Sequence, residues 1–157
     1  MSVTVQASRF SSKPLVSAIV STYKSERFIR GKLEDLLKQT LGNRLEIVIV
    51  NSGSPQDEDA IVREYLDKHP NICYINTVDR ETIHHTWDRG IRSARGKYIT
   101  NSNTDNRFDL SALEQLAAVL EADESVGIVY ADQYLTNDEN ASFDEARRLQ
   151  PFVRKNY

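Results

Sequence analysis

The 157-residue sequence predicts an α/β fold, a mostly parallel sheet flanked by helices. Three observations predict it: short runs that are almost wholly apolar and β-branched, helical stretches with one apolar stripe between them, and small polar residues closing each run. Strands that are apolar on both faces belong to sheets covered on both sides. Alternating them with helices gives right-handed crossovers and a parallel sheet.

Residues 15–20 (LVSAIV) make the first strand, which ends in the polar run 21–26 (STYKSE). Phe28, Ile29, Leu33, Leu36 and Leu37 then recur at helical spacing, and Gly42 and Asn43 are residue types that close helices. Residues 46–50 (EIVIV) are a second strand, stopping at Asn51, Ser52, Gly53, Ser54 and Pro55. A second helix over 57–68 carries Ile61, Val62, Tyr65 and Leu66 on one stripe, and 72–75 (ICYI) is a short third strand. Residues 86–94 predict a third helix with Trp87, Ile91 and Ala94 inward, ended by Gly96. A fourth strand follows at 97–100 (KYIT), then a fourth helix at 110–122 on Leu113, Leu116, Ala117 and Leu120. The pattern VGIVY at 126–130 predicts a fifth strand before an acidic stretch from Asp132 to Glu145. Residues 1–13 are polar and Ser-rich and read as a flexible arm, leaving 14–157 as one domain.

Composition narrows the functional classes. Apolar residues at 39% and charged residues at 27% are globular values. Twenty basic residues against twenty-three acidic ones are not gathered into a stripe, so no nucleic-acid partner is expected. Cys73 is the single cysteine, which excludes an internal disulfide or a multi-thiolate zinc site and suits a reducing cytoplasmic setting. The apolar runs fall well short of the roughly 20 residues that span a bilayer. Any membrane contact is expected at the surface or through a partner.

In open parallel sheets, ligands sit beyond the carboxyl ends of the strands, which selects the loops 21–26, 51–57 and 101–107. The richest is Asn101-Ser102-Asn103-Thr104-Asp105-Asn106. Residues two apart in extended backbone project the same way. The Asn103 amide oxygen and the Asp105 carboxylate can therefore face one hard cation, Mg²⁺ or Mn²⁺, which keeps several waters and completes its shell with ligand phosphates. Such an ion stabilises a diphosphate leaving group. Taken alone, a run of this composition is more often an Asx-type turn. His84 and His85 lack an acidic or thiol companion and read as a helix start, Cys73 as a small buried hydrophobe, and the acidic stretch as a solvated loop. No Gly-x-Gly-x-x-Gly follows the first strand, which argues against a dinucleotide.

The runs VSAIVSTY (16–23), LLKQT (36–40), EIVIVNSGS (46–54) and WDRGIRSARGKYITN (87–101) resemble glycosyltransferase family 2, in order and spacing, from about Pro14 to Asp132. The resemblance implies a GT-A fold and inverting transfer of a sugar from a nucleoside diphosphate sugar to an acceptor it does not name. Divalent metal use and cell-surface polysaccharide biosynthesis come with it. Ser21, Thr22 and Tyr23 would lie against the nucleotide, Tyr23 near the base, with Glu26 in the same loop. Asn51 and Ser52 stand where the family carries two acidic residues, one of which reads the base. Asn103, Thr104 and Asp105 would bind the nucleotide sugar, with Asp105 falling on the metal-binding aspartate of the motif and Asn103 on an acidic or polar neighbour that shares the metal. Trp87, where many relatives differ, reads as packing under the nucleotide loop.

The departures are as specific as the likeness. Asn51 and Ser52 remove a charged acceptor, and a neutral hydrogen bond is roughly half as strong as a charge-assisted one. One carboxylate in the metal motif lowers affinity for a hard cation, and Asp132 is a further acid without an assigned place. The base that takes the acceptor proton comes from a later segment in the family, so it and the acceptor part are expected beyond Tyr157. The alternative is a catalytically inactive glycosyltransferase-like binding or scaffold module.

Overall fold

A computed structural model describes residues 3–9 and 13–149. Five strands, β1 (Val3–Gln6), β2 (Val16–Thr22), β3 (Leu45–Ser52), β4 (Ile72–Thr77) and β5 (Tyr98–Asn101), form one sheet in the order β1-β4-β3-β2-β5. The β2–β3, β3–β4 and β2–β5 pairs are parallel, and β1 lies antiparallel on β4. Helices α1 (Glu26–Leu37), α2 (Glu58–Leu66), α3 (Ile83–Ser93) and α4 (Ala112–Ala122) follow β2, β3, β4 and β5 in turn, and α5 (Phe143–Leu149) comes last. The chain steps outward from β2 to β4, then returns to set β5 on the other side of β2. That reversal opens a crevice at the carboxyl ends of β2 and β5.

Every residue of β3 is buried, which is why the strand reads as a continuous apolar run. Its side chains divide by the period of two. Ile47 and Ile49 join Ala18 and Val20 in the larger core, against Ile29, Leu33 and Leu36 of α1, Val62 and Leu66 of α2, and Leu113 and Ala117 of α4. Val48 and Val50 join Ile19, Cys73 and Ile75 in a smaller core on the opposite face. Glu46 is fully buried. It accepts from Ser17 Oγ at 2.6 Å, Ser8 Oγ at 2.7 Å and the Arg95 amide at 2.8 Å, pinning the amino end of the sheet.

The structure corrects the sequence reading at several points. Part of the expected arm is a strand: Val3 and Val5 pair with Thr77 and Ile75, because β4 offers an edge with free backbone groups. Others of those first thirteen residues lie outside the described residues. The expected strand at 126–130 does not form, and Ile128 and Tyr130 are 84% and 90% exposed. A strand is stabilised by its neighbours, and no described strand runs alongside these residues. α3 begins at Ile83, so both histidines lie in its first turn, and its inward face is only partly the one expected: Ala94 packs against the smaller core and Trp87 is half-buried. Thr86 and Gly90 are buried while Ile91 is 48% exposed. A Cβ at Gly90 would stand 2.5 Å from Ile19 Cγ2, so the helix packs closely through its glycine. α1 ends at Leu37, ahead of Gly42 and Asn43, because Gln39 and Thr40 bond to the start of α4: Gln39 Nε2 donates to the Asp109 carbonyl and the Thr40 amide to the Leu110 carbonyl.

Candidate functional site

The carboxyl ends of the strands converge on a cleft of about 340 Å³. The end of β2 contributes Ser21 and Thr22, the loop after it Tyr23 and Ser25, the first turn of α1 Phe28, and β3 Ser52. The loop after β5 contributes Asn103, Thr104 and Asp105. Arg80, Glu81, Ile83 and Thr86 complete the wall from a fourth segment, the β4–α3 loop and the first turn of α3. That segment was absent from the three loops selected above. Its signal was the same as theirs, a polar run (Asp79, Arg80, Glu81, Thr82) after a buried strand.

The loops after β2 and β3 are held together by Glu58, the first residue of α2 and fully buried. Its Oε1 accepts from the Ser25 amide at 2.6 Å and from Ser54 Oγ at 2.9 Å, and Ser54 Oγ accepts from the Lys24 amide at 3.0 Å. Glu26 lies outside the cleft lining. Its carboxylate accepts weakly from the Asp57 amide, at 3.4 Å, and supports the start of α2. Asn51 is also outside the lining. Its Nδ2 donates to Tyr74 Oη at 3.2 Å and its Oδ1 accepts from the Ser54 amide at 3.1 Å. Burial holds the Tyr74 phenol well above its ordinary range.

Gly53 carries a positive φ of 55°, and a Cβ there would lie 2.6–2.8 Å from backbone atoms of Val78, Asp79 and Arg80. This close approach, available to glycine alone, seats the β4–α3 loop on the end of β3. Ser52 then bonds the Glu81 backbone, fixing Glu81 at the cleft. Both Glu81 oxygens accept from Arg89, from Nε at 3.0 Å and from Nη2, which keeps the carboxyl below its ordinary range. Arg80 places its guanidinium 4.4 Å from the Tyr23 ring centroid. The aromatic face expected beside a nucleobase thus already carries a cation. Trp87 is half-buried and donates from Nε1 to Ser21 Oγ at 3.2 Å, bracing the end of β2.

The loop after β5 is set from behind by buried charge. Arg107 Nη1 donates to the Thr104 and Asn106 carbonyls, each at 2.8 Å. Its Nη2 reaches the Phe28 carbonyl of α1 at 3.4 Å, crossing the helix at Gly31, where a Cβ would meet Nη2 at 2.5 Å. The Phe108 amide donates to both oxygens of Asp35 at 3.2 and 3.3 Å. Lys32 is fully buried on α1, with Nζ 3.4 Å from Asp35 Oδ2 and 4.4 Å from the Phe108 ring centroid. Burial lowers its pKa to about 8 and raises that of Asp35.

The side chains of Asn103 and Asp105 line the cleft and have no hydrogen-bond or ion-pair partner among the described residues. The Thr22 hydroxyl, 2% exposed at the cleft, and the buried Ser102 hydroxyl are likewise without partners. No three His, Cys, Asp or Glu side chains cluster for a metal among the described residues. One carboxylate and one amide oxygen still fit a hard cation of the kind that takes its other ligands from water and phosphate.

The model of glycosyl transferase family 2 matches residues 17–156. EpsH of Bacillus subtilis, which bears a glycosyltransferase name, is 30% identical over 146 residues, covering 92% of this chain and 42% of its own length. The chain therefore spans less than half of this relative. Among solved structures, the mannosyltransferase PcManGT of Pyrobaculum calidifontis, in complex with GDP-Man and Mn²⁺, superposes with a TM-score of 0.67 at 26% identity over 77% of this chain and 36% of that one. S. aureus TarS 1-349, in complex with UDP, gives 0.64 at 24% identity over 69% and 32% and shares the fold. No helix among the described residues is long and apolar enough to cross a membrane. With the family model covering almost the whole sequence and the sheet superposing on GT-A structures, the chain belongs to glycosyltransferase family 2.

Proposed function

We propose that this chain is the donor-binding part of an inverting glycosyltransferase that transfers a sugar from a nucleoside diphosphate sugar to an acceptor hydroxyl. The observation that carries the reading is the cleft itself. It gathers Tyr23, the unbonded Thr22 hydroxyl and the side chains of Asn103 and Asp105 at the reversal point of a parallel sheet, where such sheets bind nucleotides. PcManGT, with GDP-Man and Mn²⁺, supports the same assignment.

In this reading Ser21, Thr22, Tyr23 and Ser52 face the nucleoside, and Asn103, Thr104 and Asp105 face the diphosphate. Asp105 and Asn103 hold Mg²⁺ or Mn²⁺, which neutralises charge growing on the diphosphate as the sugar leaves. Glu26 and Asn51 act at one remove, by fixing the loops that carry these groups. The single, buried Cys73 suits the reducing cytoplasm. Calorimetric titration of the chain with uridine or guanosine diphosphate, with and without Mn²⁺, tests the proposal. Saturable binding that strengthens with Mn²⁺ is expected, and absence of heat with both nucleotides would overturn it.

A second reading, a binding or scaffold module without transfer activity, is favoured by one observation. The side chains standing for the family's acidic pair are committed internally, Asn51 to Tyr74 and Ser54, and Ser52 to Glu81. Nucleotide binding without turnover of a nucleotide-sugar donor by the protein selects it.

A further inference from the structure

The charges around the cleft do not match a site that relies on its cation alone. Asp105 is the one carboxylate in the metal motif, and Glu81 is already neutralised by Arg89. A single acidic ligand holds a hard divalent ion weakly. The ligand proposed above is a diphosphate, whose negative charge requires compensation from somewhere in the wall.

Arg80 is the one cationic side chain lining the cleft among the described residues. It makes no hydrogen bond and no ion pair there, and its guanidinium rests on the Tyr23 ring. A guanidinium carries five donors in a planar fork suited to phosphate oxygens. The backbone beneath it is rigidly set, because the Gly53 approach and the Ser52 bonds to Glu81 fix the segment on both sides of Arg80. A second, independent feature points the same way. The eleven-residue helix α3 starts beside Arg80, capped by Thr82, and its first turn lines the cleft through Ile83 and Thr86. The amino end of a helix carries partial positive charge that favours an anion. The Thr22 hydroxyl at the end of β2, in the same cleft and 2% exposed, is a donor with no acceptor.

We propose that Arg80, with the first turn of α3, forms an anion seat that binds the diphosphate directly, so that nucleotide binding by this chain has a component independent of the metal. This rests on the donor-binding reading above. Tyr23 acts as the resting place of the guanidinium, which moves from the ring to the phosphates when the nucleotide enters.

The test is calorimetry of the 157-residue chain with uridine diphosphate and guanosine diphosphate, in EDTA and in Mn²⁺, for the wild type, Arg80→Gln and Arg80→Lys. Arg80 is exposed and unbonded, so the fold is expected to survive, and circular dichroism checks it. The wild type should bind at least one of the two in EDTA. Arg80→Gln should lose about tenfold or more of that affinity, as expected for removing a charged hydrogen bond, while the further gain from Mn²⁺ remains. Arg80→Lys should recover part of the loss. Falling wild-type affinity in EDTA as salt rises gives a measurement that needs no variant. Wild-type binding seen with Mn²⁺ alone, or equal EDTA affinity in wild type and Arg80→Gln, overturns the anion seat and leaves the donor reading standing. No binding of either nucleotide under either condition overturns both.

Discussion

Ser52 and Glu81 are joined twice: the Glu81 amide donates to the Ser52 hydroxyl oxygen at 2.6 Å, and that hydroxyl donates to the Glu81 carbonyl at 3.1 Å. Ser52 is therefore a staple between β3 and the β4–α3 loop. Replacing it with alanine leaves a partly buried amide and carbonyl without partners, at a cost of about 1–2 kcal/mol. Urea denaturation should show a lowered midpoint for Ser52→Ala. Ser52→Asp should be worse, since a carboxylate cannot donate to the Glu81 carbonyl and adds negative charge beside its side chain. An unchanged midpoint in both variants would show that the staple carries no stability.

Gly31 separates the effect of loop placement from that of stability. Alanine in a helix interior gains up to about 1 kcal/mol over glycine, which offsets part of the cost of displacing Arg107, so Gly31→Ala should stay folded and melt only slightly below the wild type. Its Cβ would collide with Arg107 Nη2 and push the guanidinium off the Thr104, Asn106 and Phe28 carbonyls. The Mn²⁺-dependent gain in nucleotide affinity should then fall several-fold. Unchanged metal dependence, with the fold intact, would show that Arg107 does not set the Asp105 loop.

Asp105→Asn should abolish the gain from Mn²⁺, because it removes the carboxylate that would hold the ion. In EDTA the same change should strengthen nucleotide binding. It removes a negative charge beside a diphosphate, worth about 1 kcal/mol at close range in a watery site. Calorimetry under the two conditions reads both effects, and retention of full Mn²⁺ dependence would place the cation elsewhere.

Lys32 gives a pH signature. Burial lowers its folded pKa to about 8 from an ordinary 10.5, so between these values the unfolded chain binds more protons than the folded one. Stability rises with pH wherever that holds. The cost of burying the charged amine is thus full below about pH 8 and is relieved as pH climbs towards 10.5. Lys32→Met, which keeps most of the side chain's volume, removes this titration and leaves Asp35 without its cation, so the stability of the wild type relative to the variant should rise between pH 8 and 10. Urea titrations across this range check it, and a gap that stays constant with pH would contradict it. Comparing the two proteins cancels the opposing contributions of the Cys73 thiol and Tyr74 phenol, both held up by burial.

Local pattern alone determined β2, β3 and β4, the stripes of α1, α2 and α4, and the loops carrying Tyr23, Asn103 and Asp105. Such strands are buried on both faces, so their composition is forced wherever they occur, and polar residues beyond them mark the edge where a ligand can sit. Tertiary structure decided what depends on a distant partner. Residues 3–6 became a strand because β4 had a free edge, whereas 126–130, more strand-like in composition, found no ladder. Asn51 and Ser52 were spent on Tyr74, Ser54 and Glu81, and Arg80 was brought over Tyr23, through contacts that no spacing along the chain encodes. A hydrogen bond or an ion pair needs two groups placed in space, and sequence order fixes neither their distance nor their direction.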